Sequence, residues 1–255
     1  MVAVTSTPLK LINIIAFALT VLVNTLAGST TILGGKLTAQ ISDANPTLIT
    51  PAGYVFSIWG IIYILLGIFV IFQVLPSQKG KDYQREIGWL FVLSSLLNIV
   101  WLFLWQFEYL TLSVIVMFLL LATLIAIYLR LNIGKSKVSL PEKLAVHLPF
   151  SVYLGWITIA SIADVSVTLV SVKWDGFGIS QETWATLIII IALLITLLVI
   201  ATRKDVAYGL VVIWALLGIA VKQSGNQNIV TTTEITAVVI VIALALSILV
   251  SRLRR

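Results

Sequence analysis

The chain has 255 residues, of which 60% are hydrophobic and only 10% charged, against roughly 25% charged residues in an ordinary soluble domain. It has no cysteine and one histidine, His147, which excludes disulfides, thiolate metal sites, iron–sulfur clusters, cysteine nucleophiles and any multi-histidine metal centre. The net charge of +6 is carried by short basic groups between apolar blocks rather than by a patch interleaved with aromatics, so the expected partner is the lipid bilayer and not nucleic acid.

Eight apolar blocks follow one another at about 9–29, 51–75, 87–106, 109–130, 145–170, 184–202, 206–221 and 235–251, the seventh being the shortest. Their lengths cluster near the ~20 residues that a helix needs to cross ~30 Å of hydrocarbon. Lys and Arg accumulate in cytoplasmic loops, which tests the count independently. With the N-terminus inside, one side receives Lys10, Lys79, Lys81, Arg85, Arg130, Lys135, Lys137, Lys143, Arg203, Lys204, Arg252, Arg254 and Arg255, and the other receives Lys36, Lys173 and Lys222. Dropping or fusing one block would put the later basic groups on the wrong side. The expected fold is therefore an all-α, multi-pass integral membrane protein with about eight spans and both termini cytoplasmic. Lys10 ahead of an apolar run ending near Thr25-Leu26-Ala27 also fits a cleaved signal sequence, but Asn13 and Asn24 within the run favour a helix packed against protein.

Two outer loops are rich in distinctive residues. The stretch from about Ser29 to Thr50 contains Gly34, Gly35, Asn45 and Pro46, and that from Ser171 to Thr183 contains Trp174 and Phe177 and ends beside Trp184. The aromatic residues of the second loop fit an interfacial belt. Tryptophan and asparagine occur within the first five blocks, while the last three are mostly Ile, Leu, Val and Ala. This suggests a five-helix unit over 1–170 and a three-helix extension over 171–255.

A polar group in hydrocarbon needs a partner, so polar and indole-bearing residues inside the spans are the informative ones. Asn24, Tyr54, Phe56, Trp59, Asn98, Trp101, Trp105, Trp156 and Asp164 lie at or outside the middle of their spans. Asn98, Trp101 and Trp105 follow i, i+3, i+7; Phe56, Trp59 and Tyr63 do the same; Trp156, Ala160 and Asp164 follow i, i+4, i+8. Each set is one stripe of a helix. Stripes that face one another would enclose an aromatic pocket with a few polar groups; the alternatives are interface anchors for the aromatics and interhelical contacts for the asparagines. Asp164 is the one acidic residue placed inside a span. It either finds polar partners, which makes it a candidate for proton coupling or for holding a basic ligand, or sits hydrated at the outer interface. His147, two residues before Pro149 at the inner end of the fifth span, reads as a polar residue at a helix start rather than a haem ligand.

At these residues the sequence resembles the TspO/MBR family, the tryptophan-rich sensory proteins related to the translocator protein (peripheral benzodiazepine receptor). The resemblance is carried by Thr50-Pro51-Ala52-Gly53-Tyr54-Val55-Phe56-Ser57-Ile58-Trp59-Gly60-Ile61-Ile62-Tyr63, by Leu97-Asn98-Ile99-Val100-Trp101, and by Tyr153-Leu154-Gly155-Trp156 with Asp164 eight residues after the tryptophan. It covers roughly residues 9–170. Departures are also present: Ala52 follows Pro51 where the family commonly has a second proline, and two residues rather than three separate Phe56 from Trp59. Val152 stands where the family's proline usually lies, with Pro149 one turn earlier, and Asp164 replaces an asparagine. The resemblance implies a five-helix bundle, often homodimeric, with a pocket under the loop joining the first two helices. It implies binding of porphyrins, haem-related tetrapyrroles or sterols, with Trp59, Asn98, Trp101, Tyr153, Trp156 and Asp164 lining the pocket and the 30–50 loop as its lid.

The leading functional expectation is a non-enzymatic receptor or carrier for a flat hydrophobic ligand, with no cofactor required and porphyrin or haem entering as ligand, in a bacterial inner membrane. A proton-coupled secondary transporter using Asp164 is the alternative from another class, although no inverted repeat is visible. A porphyrin-degrading enzyme is the third; no nucleophile–base pair, P-loop or metal set supports it. A retinal protein is excluded because Lys222 lies at the outer edge of the seventh span rather than its middle.

Overall fold

The computed structural model describes residues 7–253, and helices form wherever the sequence is continuously apolar. α1 (Thr7–Ser29) is followed by the short α2 (Thr38–Ala44), a 3-10 turn over Gly53–Ser57 that runs into α3 (Ile58–Phe72), the short α4 (Asp82–Ile87), α5 (Leu90–Gln106) and α6 (Leu110–Arg130). A single turn, α7 (Leu140–Glu142), and a π-turn over Lys143–His147 lead into α8 (Leu148–Ser171). Pro149 lacks an N–H and so removes a rung from the helical ladder, which accounts for the irregular backbone ahead of it. The chain then forms α9 (Gln181–Arg203), α10 (Val206–Lys222) and α11 (Gln227–Leu253).

The eight apolar blocks thus become α1, α3, α5, α6, α8, α9, α10 and α11. Among the described residues six helical segments are long and apolar enough to cross a membrane; α5 and α10, of 17 residues each, are shorter. At ~1.5 Å per residue each short helix covers roughly 25 Å, close to the hydrocarbon thickness. Arg254 and Arg255, counted above among the cytoplasmic basic residues, lie outside the described residues.

Lipid solvates the exterior, so apolar side chains appear on both sides of each helix. Leu11, Ile15 and Leu22 of α1, Ile61, Ile64 and Ile71 of α3, and Leu194 and Leu198 of α9 are all more than half exposed. With no hydrophobic drive between helices in lipid, close backbone approach and buried polar contacts carry the packing. Gly155 lets α8 meet α10, for a Cβ there would stand 3.2 Å from Val211 Cβ and 3.3 Å from the Tyr208 carbonyl oxygen. Gly218 of α10 packs still closer, since its Cβ would fall 2.1 Å from Val55 Cγ2 in the 53–57 turn. Two hydrogen bonds fix that contact: Ala52 N–H donates to the Gly218 carbonyl at 3.0 Å, and Trp214 Nε1–H donates to the Val55 carbonyl at 3.1 Å. α10 therefore presses on the segment that opens α3.

The first outer loop is fastened down. Gly34 takes φ +69°, where a Cβ would also lie 2.1 Å from the Gln106 carbonyl oxygen. Gln106, 1% exposed at the end of α5, donates from Nε2 to the carbonyls of Ala27 and Lys36, each at 3.2 Å. Ion pairs Lys36–Glu108 and Lys222–Asp43 hold the loop from two sides. Gln223 Nε2 donates to the Thr47 carbonyl at 3.0 Å.

At the inner end, Asp205 caps α10 by accepting from Tyr208 N–H at 3.2 Å, and it also accepts from the hydroxyls of Tyr128, at 2.9 Å, and Ser151. The Arg203 guanidinium stands 5.9 Å from the centroid of the Tyr128 ring. This buried carboxylate ties α6, α8 and α10 together, a structural role that the sequence reading did not assign.

Candidate aromatic site

Tryptophan rings and polar side chains from α1, α3, α5, α6 and α8 converge below the first outer loop. Trp59 is the centre. Its ring stacks on Tyr63 at 5.5 Å and on Trp101 at 6.5 Å, and meets Tyr153 at 6.0 Å and Trp156 at 6.2 Å edge to face. Phe56 meets Trp156 edge to face at 5.9 Å, and Trp101 contacts Trp105 at 5.9 Å. These separations are those of favourable aromatic pairs, each worth ~0.5–1.5 kcal/mol beyond burial.

The polar groups form two networks at the edges of the rings. In the first, Asn24 Nδ2 donates to Asn98 Oδ1 at 2.7 Å and Asn98 Nδ2 donates to the Tyr153 hydroxyl at 3.1 Å, linking α1, α5 and α8. In the second, Asp164 accepts from Trp101 Nε1–H at 3.1 Å and from the Ser113 hydroxyl at 2.9 Å, linking α5, α6 and α8. Asp164 is 2% exposed, so it is a buried, partnered carboxylate rather than a hydrated interfacial one. Trp105 Nε1–H donates to the Thr38 carbonyl at 3.2 Å, which joins the cluster to α2 in the loop above. Two donors within the cluster, Trp156 Nε1 and the Tyr63 hydroxyl, are buried without a hydrogen-bond partner. Buried donors of this kind are uncommon and suit a group that brings acceptors.

Ten of the eleven sequence-selected residues therefore share one connected cluster. The exception is Tyr54: it is 49% exposed and stands edge-on to Trp214 of α10 at 5.4 Å. Tyr54 stands in the 3-10 turn over Gly53–Ser57, two residues before Phe56, and side chains two apart on a helical turn do not share a face, so it points away from the side that Phe56 and Trp59 occupy. Ser113 was missed. It shares the start of its block with the hydroxyls of Tyr109 and Thr111, and nothing in the sequence sets it apart from them. His147 sits buried in the π-turn, and among the described residues no group of three or more histidine or acidic side chains is placed to hold a metal ion.

A separate cavity of about 560 Å³ opens between the outer ends of α8 and α9, roofed by Thr47, Leu48 and Ile49 of the first loop and walled by Trp174 of the second loop and Trp184 of the first turn of α9. Its α8 wall is Val165, Ser166 and Leu169, the flank adjacent to Asp164.

These features define a multi-pass helical membrane protein whose core is an aromatic cluster edged by buried asparagine and aspartate. The chain matches the model of the TSPO-like protein family over residues 10–250 and belongs to that family. The match runs past the 9–170 stretch of the motifs and through α9, α10 and α11. Comparison with curated proteins and with solved structures gives no significant match.

Proposed function

We propose that the protein is a membrane receptor or carrier for a flat, hydrophobic ligand of the tetrapyrrole or sterol class, acting in a bacterial inner membrane and lacking catalytic activity of its own. The observation that supports this reading best is the ring cluster around Trp59, with the Trp156 and Tyr63 donors unpartnered inside it. A planar macrocycle entering beneath α2 would exchange ring–ring contacts for ring–ligand contacts of the same kind, and its polar edge would meet those donors. Membership of the TSPO-like family favours the same class of ligand by analogy of family. The two networks at Asn98 and Asp164 hold the rings in place and set which edge of a ligand carries its polar groups.

The test is a fluorescence titration of the purified protein with protoporphyrin, haem and a sterol. Saturable quenching of tryptophan emission by a tetrapyrrole, or a saturable response to a sterol, supports the reading. A response that rises linearly with added ligand, as partition into detergent or lipid gives, sinks it.

A further inference from the structure

The 560 Å³ cavity has a structural cause. α9 follows α8 directly in the chain, yet it packs chiefly on α11 and also on α10, which leaves the outer ends of α8 and α9 parted. Leu48, Ile49, Val165, Leu169 and Ile188 make the gap apolar, and the paired indoles of Trp174 and Trp184, 5.3 Å apart, form its outer wall. Its size lies within the range of roughly 300–1,000 Å³ usual for small-molecule sites. The surrounding loop exposes Val172, Phe177 and Ile179, as a segment at the level of lipid headgroups does.

The charges at the mouth are uneven. Of the three basic residues on the outer side, Lys36 and Lys222 are held in ion pairs with Glu108 and Asp43. Lys173 has no ion-pair partner among the described residues, and it lines the cavity. The first turn of α9 supplies Gln181 and Trp184 to the same wall, so the positive end of that helix dipole lies at the mouth as well. Asp175 also lines it, but Asp175 Oδ1 accepts from Phe177 N–H at 3.0 Å and caps the adjoining turn. Glu182 accepts instead from Asn226 Nδ2 at 2.6 Å.

We propose that this cavity binds an anionic amphiphile, its hydrocarbon body lying between α8 and α9 and its carboxylate or phosphate at Lys173 and the start of α9. The site is distinct from the aromatic cluster and does not depend on what that cluster binds. A free fatty acid and an anionic phospholipid share the required chemistry.

The probes are dibrominated stearate, its neutral methyl ester and a dibrominated phosphatidylglycerol, each titrated into the protein in phosphatidylcholine nanodiscs while tryptophan fluorescence is read. Bromine quenches at short range, so Trp174 and Trp184 report occupancy, and a Trp174→Phe/Trp184→Phe variant isolates their share of the signal. The expected result is saturable quenching by at least one acidic probe, weakened tenfold or more in Lys173→Gln, retained in Lys173→Arg and lost in Ala185→Phe, which fills the cavity. Stearate alone would identify a free acid as the ligand, and phosphatidylglycerol alone a bilayer lipid. Equal quenching by the methyl ester, no change in Lys173→Gln, or undiminished quenching in an Ala185→Phe variant of unchanged melting temperature would overturn the proposal.

Discussion

Replacing Asp164 separates its hydrogen-bonding role from its charge. Asp164 accepts from Trp101 Nε1–H at 3.1 Å and from Ser113 Oγ at 2.9 Å, and the Ser113 hydroxyl also reaches the Leu110 carbonyl at 2.7 Å. In Asp164→Asn the amide oxygen can keep the indole donor. The amide nitrogen can donate to Ser113 Oγ, whose own hydrogen then goes to Leu110. The Trp101 and Ser113 donors both stay satisfied, so the expected loss is small, about 0.5 kcal/mol. In Asp164→Ala the indole N–H is stranded, which costs ~1–3 kcal/mol in a buried site. Couplings between membrane helices average nearer 0.6 kcal/mol because the unfolded chain also finds partners in lipid, so the low end applies. At 2–4 °C per kcal/mol for a chain of this size, a loss of about 1 kcal/mol lowers the melting temperature by roughly 2–4 °C. The assay is differential scanning fluorimetry on intrinsic tryptophan emission. Equal destabilisation by asparagine and alanine would refute the hydrogen-bond reasoning. Gradient-driven ligand uptake into proteoliposomes by wild type that disappears in Asp164→Asn, with binding retained, would instead favour a proton-coupled transporter.

Gly218→Val should destabilise the protein by ~1–3 kcal/mol, as overpacking does, because its Cβ alone would collide with Val55 Cγ2 at 2.1 Å; thermal unfolding of the variant tests this, and an unchanged melting temperature contradicts the close approach. Since the chain has no cysteine, single variants Lys79→Cys, Lys137→Cys and Lys204→Cys can be labelled with an impermeant maleimide. All three, and a tag on the C-terminus, are expected to react from the cytoplasmic side alone, and an outward C-terminus would break the eight-span topology. Tyr83, buried on α4 outside the spans, has its phenol pushed up to about 12 by desolvation. An unfolded tyrosine ionises near 10, so the neutral phenol favours the folded state below that pH and its contribution fades between pH 10 and 12. Melting temperatures measured across that window should fall less steeply in Tyr83→Phe, and identical slopes would contradict the assignment.

The spans were legible because lipid imposes length and apolarity residue by residue, and the α5 stripe of Asn98, Trp101 and Trp105 followed from helical periodicity alone. The pairing of Trp101 with Asp164 was foreshadowed by placing both at one depth, but the third partner was not: Ser113 is an ordinary residue made significant only by what faces it. Tyr54 was included by its depth alone, outside the Phe56, Trp59 and Tyr63 stripe, and depth does not say which way a side chain faces: it meets Trp214 of α10 instead of the cluster. Trp174 and Trp184 read as interfacial aromatics, and nothing local reveals that they wall a cavity. That depends on α9 packing against α11 instead of α8, a long-range choice. The motifs ended near residue 170, whereas the family match continues to 250; the apolar stretches within α9, α10 and α11 carry few polar residues for a motif to catch, although Gly218 and Trp214 bind α10 to the turn ahead of α3.

The central claim is that the rings around Trp59 bind the ligand, and matched tryptophan substitutions test it most directly. Protoporphyrin affinity should be measured by absorbance titration for Trp59→Ala, Trp101→Ala and Trp156→Ala beside Trp89→Ala, whose side chain is 62% exposed and outside the cluster. Each cluster variant is expected to lose ~1–3 kcal/mol of binding, roughly 5- to 150-fold in affinity, by removal of an aromatic contact at a buried site, while Trp89→Ala binds as wild type does. Equal effects in all four variants, or none in any, would contradict the account.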